Sequence, residues 1–111
     1  MKDCLFCKIA NKEQDADIVA EGDDFIAFED INPKAPVHVL IVPKKHVSSV
    51  NNVKEEDKEL MGNLFLAAQK VAEKKGVKEQ GYRLIVNTGK KAGQEVEHLH
   101  LHLISGKNLG F

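Results

Sequence analysis

The sequence predicts an α+β fold in which a five-stranded antiparallel sheet packs with one long helix and one short helix. Three observations favour this class: five segments have the composition or alternation of strands, helical periodicity dominates one long stretch, and the connections are mostly short. The 111 residues contain no visible repeat, linker or low-complexity tract. We therefore expect a single domain over residues 1–111.

The first part of the chain predicts a short helix followed by three strands. Residues 4–13, CLFCKIANKE, have a weak helical pattern. Residues 17–31 alternate around a Gly-Asp-Asp turn, which is typical of a two-stranded hairpin. Residues 37–43, VHVLIVP, are β-branched and almost continuously apolar up to Pro43, as in a buried strand.

The second part predicts the long helix, over residues 51–76, and two further strands. Its apolar ridges are Leu60, Leu64 and Val71, and then Met61, Phe65, Ala68 and Ala72. Asn52 followed by Glu55 resembles a capping box, and Gly76 is a natural stop. Residues 82–89 and 97–105 are then expected to form two strands joined by a glycine-bounded loop.

Composition and charge exclude several classes of protein. The formal net charge is −1, which disfavours a protein that binds the backbone of a nucleic acid polymer. No apolar run is long enough to span a bilayer, and the opening residues lack the pattern of a signal peptide. We therefore expect a cytoplasmic protein without a membrane partner, in which Cys4 and Cys7 are thiols or metal ligands.

Three histidines alternate with three leucines near the end of the chain, in residues 98–104, HLHLHLI. In a strand, the three imidazoles would share one face, with neighbouring Cα atoms roughly 6.5–7 Å apart, and the leucines would face the core. Three successive imidazoles at that spacing can hardly ligate one metal ion, since Zn–N bonds are about 2.0–2.1 Å long. An ordinary amphipathic strand would carry such a row only rarely, and imidazole suits nucleophilic and proton-transfer chemistry near neutral pH.

The same residues resemble a known family. The stretch HLHLHLI matches His-φ-His-φ-His-φ-φ, with φ apolar, which is the signature of the histidine triad (HIT) superfamily. Residues 4–9, 25–50, 81–89 and 92–106 are similar, in order and spacing, to its histidine triad nucleotide-binding (Hint) branch. The resemblance implies a purine nucleoside phosphoramidase, which cleaves the P–N bond of adenosine phosphoramidates or AMP-lysine without an organic cofactor. It also implies a homodimer whose two sheets join into one.

The resemblance assigns roles to individual residues. His100 is implied as the nucleophile that forms a nucleotidyl-imidazole, His102 as a phosphate contact and His38 as the histidine that supports the triad. The residues implied to bind the purine mononucleotide besides His100 and His102 are Phe6, Ile9, Phe28 and Leu40 at the base, Asp30 and Ile31 at the ribose, and Asn87 and Gln94. Without the resemblance, the apolar members would count as ordinary core and the polar ones as turn residues.

The two cysteines are three residues apart and can supply two of the four ligands of a tetrahedral zinc. From the residues alone, two thiols without a metal remain an equal alternative. Bacterial members that keep this pair bind zinc with both cysteines and two histidines, which correspond here to Cys4, Cys7, His46 and His98. The resemblance therefore implies a structural zinc, because four protein ligands leave no open position.

Two other functions stay open at this level. A dinucleoside polyphosphate hydrolase shares the triad, and a nucleotide-binding regulatory protein with vestigial turnover would keep the pocket. Glu95 stands where animal members of the family carry a serine that contacts phosphate, and a carboxylate would repel that group.

Overall fold

Five strands form one antiparallel sheet in the computed structural model of the chain, which describes residues 3–110. The strands are β1 Ile18–Glu21, β2 Phe25–Glu29, β3 Val37–Pro43, β4 Arg83–Ile85 and β5 Leu101–Ser105. Their order across the sheet is β1-β2-β3-β5-β4, so that β3 and β5 lie near the centre and β1 and β4 are the edges. The predicted fold class and the predicted hairpin are confirmed.

Two α-helices accompany the sheet, namely α1, Leu5–Ala10, and α2, Lys58–Lys74. Short 3₁₀ turns occupy Val50–Asn52, Glu55–Asp57 and Lys90–Ala92. Among residues 3–110, none of the helices has the length and apolarity needed to cross a membrane.

The predicted start of the long helix is wrong. The helix begins at Lys58, after two 3₁₀ turns, and the expected capping box between Asn52 and Glu55 does not form. The buried carboxylate of Asp57 instead accepts a hydrogen bond from the backbone N–H of Lys54 at 3.0 Å and pairs with Lys45 Nζ at 2.6 Å. A contact with a residue just after β3 therefore fixes where the helix begins.

The sheet buries both of its faces. One face packs on α2, and the cluster there includes Ala27, Val39, Ile41, Leu64, Val71, Leu101 and Leu103. The other face carries α1, and that cluster consists of Phe6, Ile9, Ile26, Phe28, Leu40 and Val42. Leu40 of β3 is opposite His102 of β5, so the histidine side of β5 faces the second cluster and its leucines face α2. Phe65, predicted to belong to an apolar ridge, is instead 57% exposed.

Candidate active site and metal centre

Only the last of the three alternating histidines lies within the sheet. β5 begins at Leu101, later than predicted, so His98 and His100 belong to the irregular segment that precedes it. The backbone N–H of Leu99 donates to the carbonyl oxygen of Val47 at 2.7 Å, which ties this segment to the residues after β3. The leucines are buried as the alternation predicts, but the imidazoles divide between two sites.

A cavity of about 320 Å³ lies on the face of the sheet that carries α1. Eight of the predicted nucleotide-binding residues line it: Phe6, Ile9, Phe28, Asp30, Ile31, Leu40, His100 and His102. The cavity is also lined by Leu5, Gln14, Asp15, Ala16, Glu29, Asn32, Lys34, Gly93, Glu95 and Val96. Its wall is therefore apolar on the side of α1 and charged around its rim.

His100 is held in one orientation and one tautomer. Its Nδ1 lies 2.7 Å from the carbonyl oxygen of His98, and since a carbonyl can only accept, the proton is on Nδ1. Nε2 is then the nitrogen with a lone pair. The ring is 7% exposed, and the ring of Phe6 packs edge-on against it with the centroids 5.1 Å apart. Burial lowers the pKa of His100 below its ordinary value, which favours the neutral, nucleophilic form.

His102 is oriented by a chain of hydrogen bonds that begins on the backbone. The N–H of Lys34 donates to His38 Nδ1 at 3.0 Å, so the proton of a neutral His38 ring is on Nε2. That Nε2 lies 2.9 Å from His102 Nδ1 and donates to it, with Asp30 Oδ2 3.4 Å away. The remaining proton of His102 is therefore on Nε2, and His102 offers the cavity a hydrogen-bond donor.

The pKa of His102 is lowered to about 4, first by burial and then by repulsion from the neighbouring His100 and His38 rings. Asp30 has a smaller opposite effect, and Lys34 lowers the pKa by the least. Burial also lowers the pKa of His38. Both rings are therefore neutral near pH 7, which the hydrogen-bond chain requires.

The stability of the protein should depend on pH because of this ring. An unfolded His102 takes up a proton near pH 6.5, whereas the folded ring resists protonation down to about pH 4. The free energy of unfolding is thus expected to fall as the pH falls through that interval, by roughly 1–3 kcal/mol, and to keep its full value above it. Urea denaturation at several pH values measures this, with His102→Gln as control. Equal pH slopes for wild type and variant would contradict the assignment.

Four further side chains form a compact cluster beside the cavity. The ligand atoms of Cys4, Cys7, His46 and His98 all lie within 4.8 Å of one another. His98 Nδ1 is 3.2 Å from Cys4 Sγ, and His46 Nδ1 is 3.3 Å from Cys7 Sγ. The other nitrogen of His98, Nε2, donates to the carbonyl oxygen of Pro43 at 2.8 Å.

The donor set fits a tetrahedral metal ion. Two sulfurs and two imidazole nitrogens are ligands that zinc prefers, and a metal-binding histidine characteristically donates its second N–H to a carbonyl, as His98 does to Pro43. Burial is the main cause that raises the pKa of the Cys7 thiol to about 11. A bound cation would reverse that preference, because a coordinated thiol is deprotonated. These four residues can therefore hold a metal ion.

Two residues predicted to bind the nucleotide do not line the cavity. The side chain of Gln94 accepts from the N–H of Gly89 at 2.9 Å and donates to the carbonyl oxygens of Ser48 and Val96. Its amide thus connects the loop of residues 89–96 to Ser48 and does not face the cavity. Asn87 is half-buried, with its Nδ2 3.7 Å from the position that a Cβ on Gly93 would occupy.

Sequence reasoning missed the groups that orient the rings. These are the backbone N–H of Lys34 and the carbonyl oxygens of Pro43 and His98. They carry no sequence signal, because every such residue has the same backbone atoms. Asp15 also lines the cavity, and no motif of the sequence points to it.

Comparison with known proteins identifies the family of this chain. The sequence profile of the HIT domain matches residues 11–109. The chain belongs to the HIT domain family. Purine nucleoside phosphoramidase of Escherichia coli (strain K12) is 44% identical over 109 residues, which are 98% of this chain and 92% of that protein.

Solved structures of HIT family members have the same fold. The HIT family hydrolase of Legionella pneumophila is 47% identical and superposes with a TM-score of 0.95 over 98% of this chain and 97% of its own. A histidine triad protein of Clostridium difficile is 42% identical, with a TM-score of 0.96 over 100% of this chain and 96% of its own. The predicted membership of the HIT superfamily is confirmed.

Proposed function

We propose that the protein hydrolyses the P–N bond of purine nucleoside phosphoramidates through a covalent intermediate on His100. One observation carries the proposal: His100 lines the cavity with its proton on Nδ1, tied to the carbonyl of His98, and its lone pair on Nε2. The likeness to a purine nucleoside phosphoramidase supports the reaction class.

In the first step, His100 Nε2 attacks the α-phosphorus and the P–N bond to the amine breaks, with the amine taking up a proton from solvent as it leaves. The imidazole ring becomes positively charged, and the carbonyl of His98 stabilises that charge through the Nδ1–H. His102 donates its Nε2–H to a phosphoryl oxygen. In the second step, water breaks the P–N bond to His100, releases the nucleoside monophosphate and restores the neutral ring.

The rest of the cavity suits a purine nucleoside. Phe6 and Phe28 pack edge to face with ring centroids 5.4 Å apart and, with the neighbouring aliphatic residues, offer an apolar wall to a base. Ile31 is 89% exposed although it is apolar, and a bound nucleotide would cover it. Asp30 can accept hydrogen bonds from both ribose hydroxyls, and its Oδ1 already accepts from the N–H of Asn32 at 2.8 Å.

The charge of the rim favours a phosphoramidate over a dinucleoside polyphosphate. Asp15, Asp30 and Glu95 line the cavity, and Lys34 is the one lysine that lines it among residues 3–110. Glu29 also lines it but pairs with Lys75 at 2.6 Å. Carboxylates at the rim repel additional phosphates and attract the ammonium group that forms when an alkyl amine such as that of lysine leaves.

The direct experiment is to follow AMP release from an adenosine phosphoramidate and from diadenosine polyphosphates under the same conditions. We expect kcat/KM to be larger for the phosphoramidate. Faster cleavage of the polyphosphates would favour a dinucleoside polyphosphate hydrolase, and binding of AMP without turnover of either substrate would favour a regulatory protein.

Glu95→Gln should lower kcat/KM more for AMP-lysine than for a phosphoramidate with a neutral leaving group.

We also propose that the four ligands bind a structural zinc, supported by the donor set and by the second hydrogen bond of His98. When bound, zinc would supply a cross-link and no chemistry. Elemental analysis of protein purified without added zinc should find about one equivalent per chain. The expectations of one domain over residues 1–111 and of a cytoplasmic location remain predictions.

A homodimer is the third part of the proposal. β4 is an edge of the sheet, and Val86, directly after it, is 38% exposed. Phe65 and Leu66 of α2 are 57% and 56% exposed. Pairing of two β4 edges would join the two sheets, and contact between the exposed side chains of the two α2 helices would bury apolar surface in the same dimer. Light scattering should therefore give the mass of two chains, and Phe65→Asp should give the mass of one.

A further inference from the structure

We infer that the metal centre and the nucleotide cavity are coupled through His98 and α1, so that metal binding raises the affinity for nucleotide and nucleotide raises the affinity for metal. This inference rests on the proposed function, because it needs both ligands to bind. In this inference the metal ion takes no part in the bond changes of the reaction, but it fixes the position of the nucleophile.

His98 belongs to both sites at once. Its ring is fully buried, with Nδ1 facing the thiols at 3.2 Å from Cys4 Sγ and Nε2 donating to the carbonyl of Pro43. Its own carbonyl oxygen accepts from His100 Nδ1 at 2.7 Å. A ligand that fixes the ring of His98 therefore also fixes the acceptor that selects the tautomer of His100.

The helix α1 is a second connection. Cys4 and Cys7 flank Phe6, and Cys4 Sγ accepts the N–H of Cys7 at 3.4 Å at the beginning of the helix. The ring of Phe6 packs edge-on against both His98 and His100, at centroid distances of 5.9 and 5.1 Å. Phe6 and Ile9 of the same helix line the cavity. The segment that supplies the two cysteine ligands thus also supplies part of the wall of the nucleotide cavity.

The helix depends on these contacts for its order. It has six residues, and a helix of that length is not stable in isolation. Ligation of Cys4 and Cys7 would join it to His46, after β3, and to His98, before β5. Without the ion, α1 retains its apolar packing and the weaker contacts between the thiols and the imidazoles, and ordering it becomes part of the free energy of nucleotide binding. Thermodynamic linkage then requires the reverse effect of the same size.

The coupling is tested by titrating AMP, followed by calorimetry, into zinc-loaded protein and into protein stripped with a chelator. We expect the Kd of AMP to rise by at least about 5-fold on stripping. The Kd of zinc, measured by competition with a chromophoric chelator, should fall by the same factor in the presence of saturating AMP. Equal AMP affinities for the loaded and the folded, stripped protein would overturn the inference. Failure of AMP to bind the loaded protein would overturn the proposed function as well.

A matched pair of variants separates coupling from a general loss of the cavity. Phe6 and Phe28 both line the cavity, but of the two only Phe6 packs against His98 in residues 3–110. Phe6→Leu should reduce the ratio of the two AMP affinities, whereas Phe28→Leu should lower both affinities and keep their ratio. An unchanged ratio in Phe6→Leu would contradict the role of α1.

If the stripped protein unfolds, cobalt(II) provides the decisive measurement in loaded protein. The visible absorption of tetrahedral cobalt bound to two thiolates reports the geometry of its ligands. Saturating AMP should shift those bands, because it restrains His98 through His100. An unchanged cobalt spectrum at saturating AMP would overturn the inference, while AMP binding itself would still stand.

Discussion

Replacing His100 by alanine is expected to lower the rate of AMP release from an adenosine phosphoramidate by at least about 10³-fold. The variant removes the atom to which the nucleotidyl group is transferred, and no other ring takes its place. His102 lies next to it, with ring centroids 4.9 Å apart, but its Nδ1 accepts from His38 and its Nε2 carries the proton. The loss should therefore appear in kcat, with a smaller change in the Kd of AMP.

Rapid quenching followed by mass spectrometry distinguishes loss of the nucleophile from loss of a contact. Wild-type protein should gain the mass of one nucleotidyl group during turnover, and the His100→Ala variant should not. His102→Ala is the matched control, because it removes a donor to phosphate and keeps the nucleophile. It should form the adduct more slowly. An adduct on the His100→Ala protein would refute the assignment.

The largest effect on stability is expected at the centre of the sheet. Ile41 of β3 has no exposed surface and lies between Ala27 of β2 and Leu101 of β5, on the face covered by α2. Its replacement by alanine leaves a cavity among residues that cannot close around it. The free energy of unfolding should fall by roughly 2–5 kcal/mol. Urea denaturation with a constant m-value measures the change.

The same substitution at the edge of the sheet is the control. Ile18 of β1 is 44% exposed, so Ile18→Ala removes less buried surface and should lower the free energy of unfolding by under about 1 kcal/mol. Equal losses for the two variants would mean that burial in the sheet does not determine the stability of these sites. That result would contradict the packing described for β3.

Periodicity was sufficient for most of the fold. The hairpin of β1 and β2, the buried strand β3 and the long helix follow from alternation, β-branching and the 3.6-residue repeat. The start of α2 could not be predicted, because Asp57 is held by Lys45, twelve residues earlier, and local propensity does not contain that contact. Phe65 fits the apolar repeat of the helix, yet it lies on an exposed side.

The sequence predicted those parts of the candidate site that depend on the type of side chain. The resemblance to a family led to the residues that line the cavity and to the four possible metal ligands. Strand alternation alone put His98, His100 and His102 on one face, but β5 begins only at Leu101, and His98 turns to the cysteines. Gln94 is engaged by backbone groups from two loops, which no pattern in the chain records.

The hydrogen bonds from Lys34 to His38 to His102 run in one direction only. A backbone N–H can donate a hydrogen bond but cannot accept one, so every N–H along the series points away from the amide of Lys34. In this state His102 can give a proton to a bound oxyanion, yet it has no free lone pair with which to deprotonate water. The second half of the reaction must therefore release the proton of the incoming water to bulk solvent, because the amine has already left with its own proton.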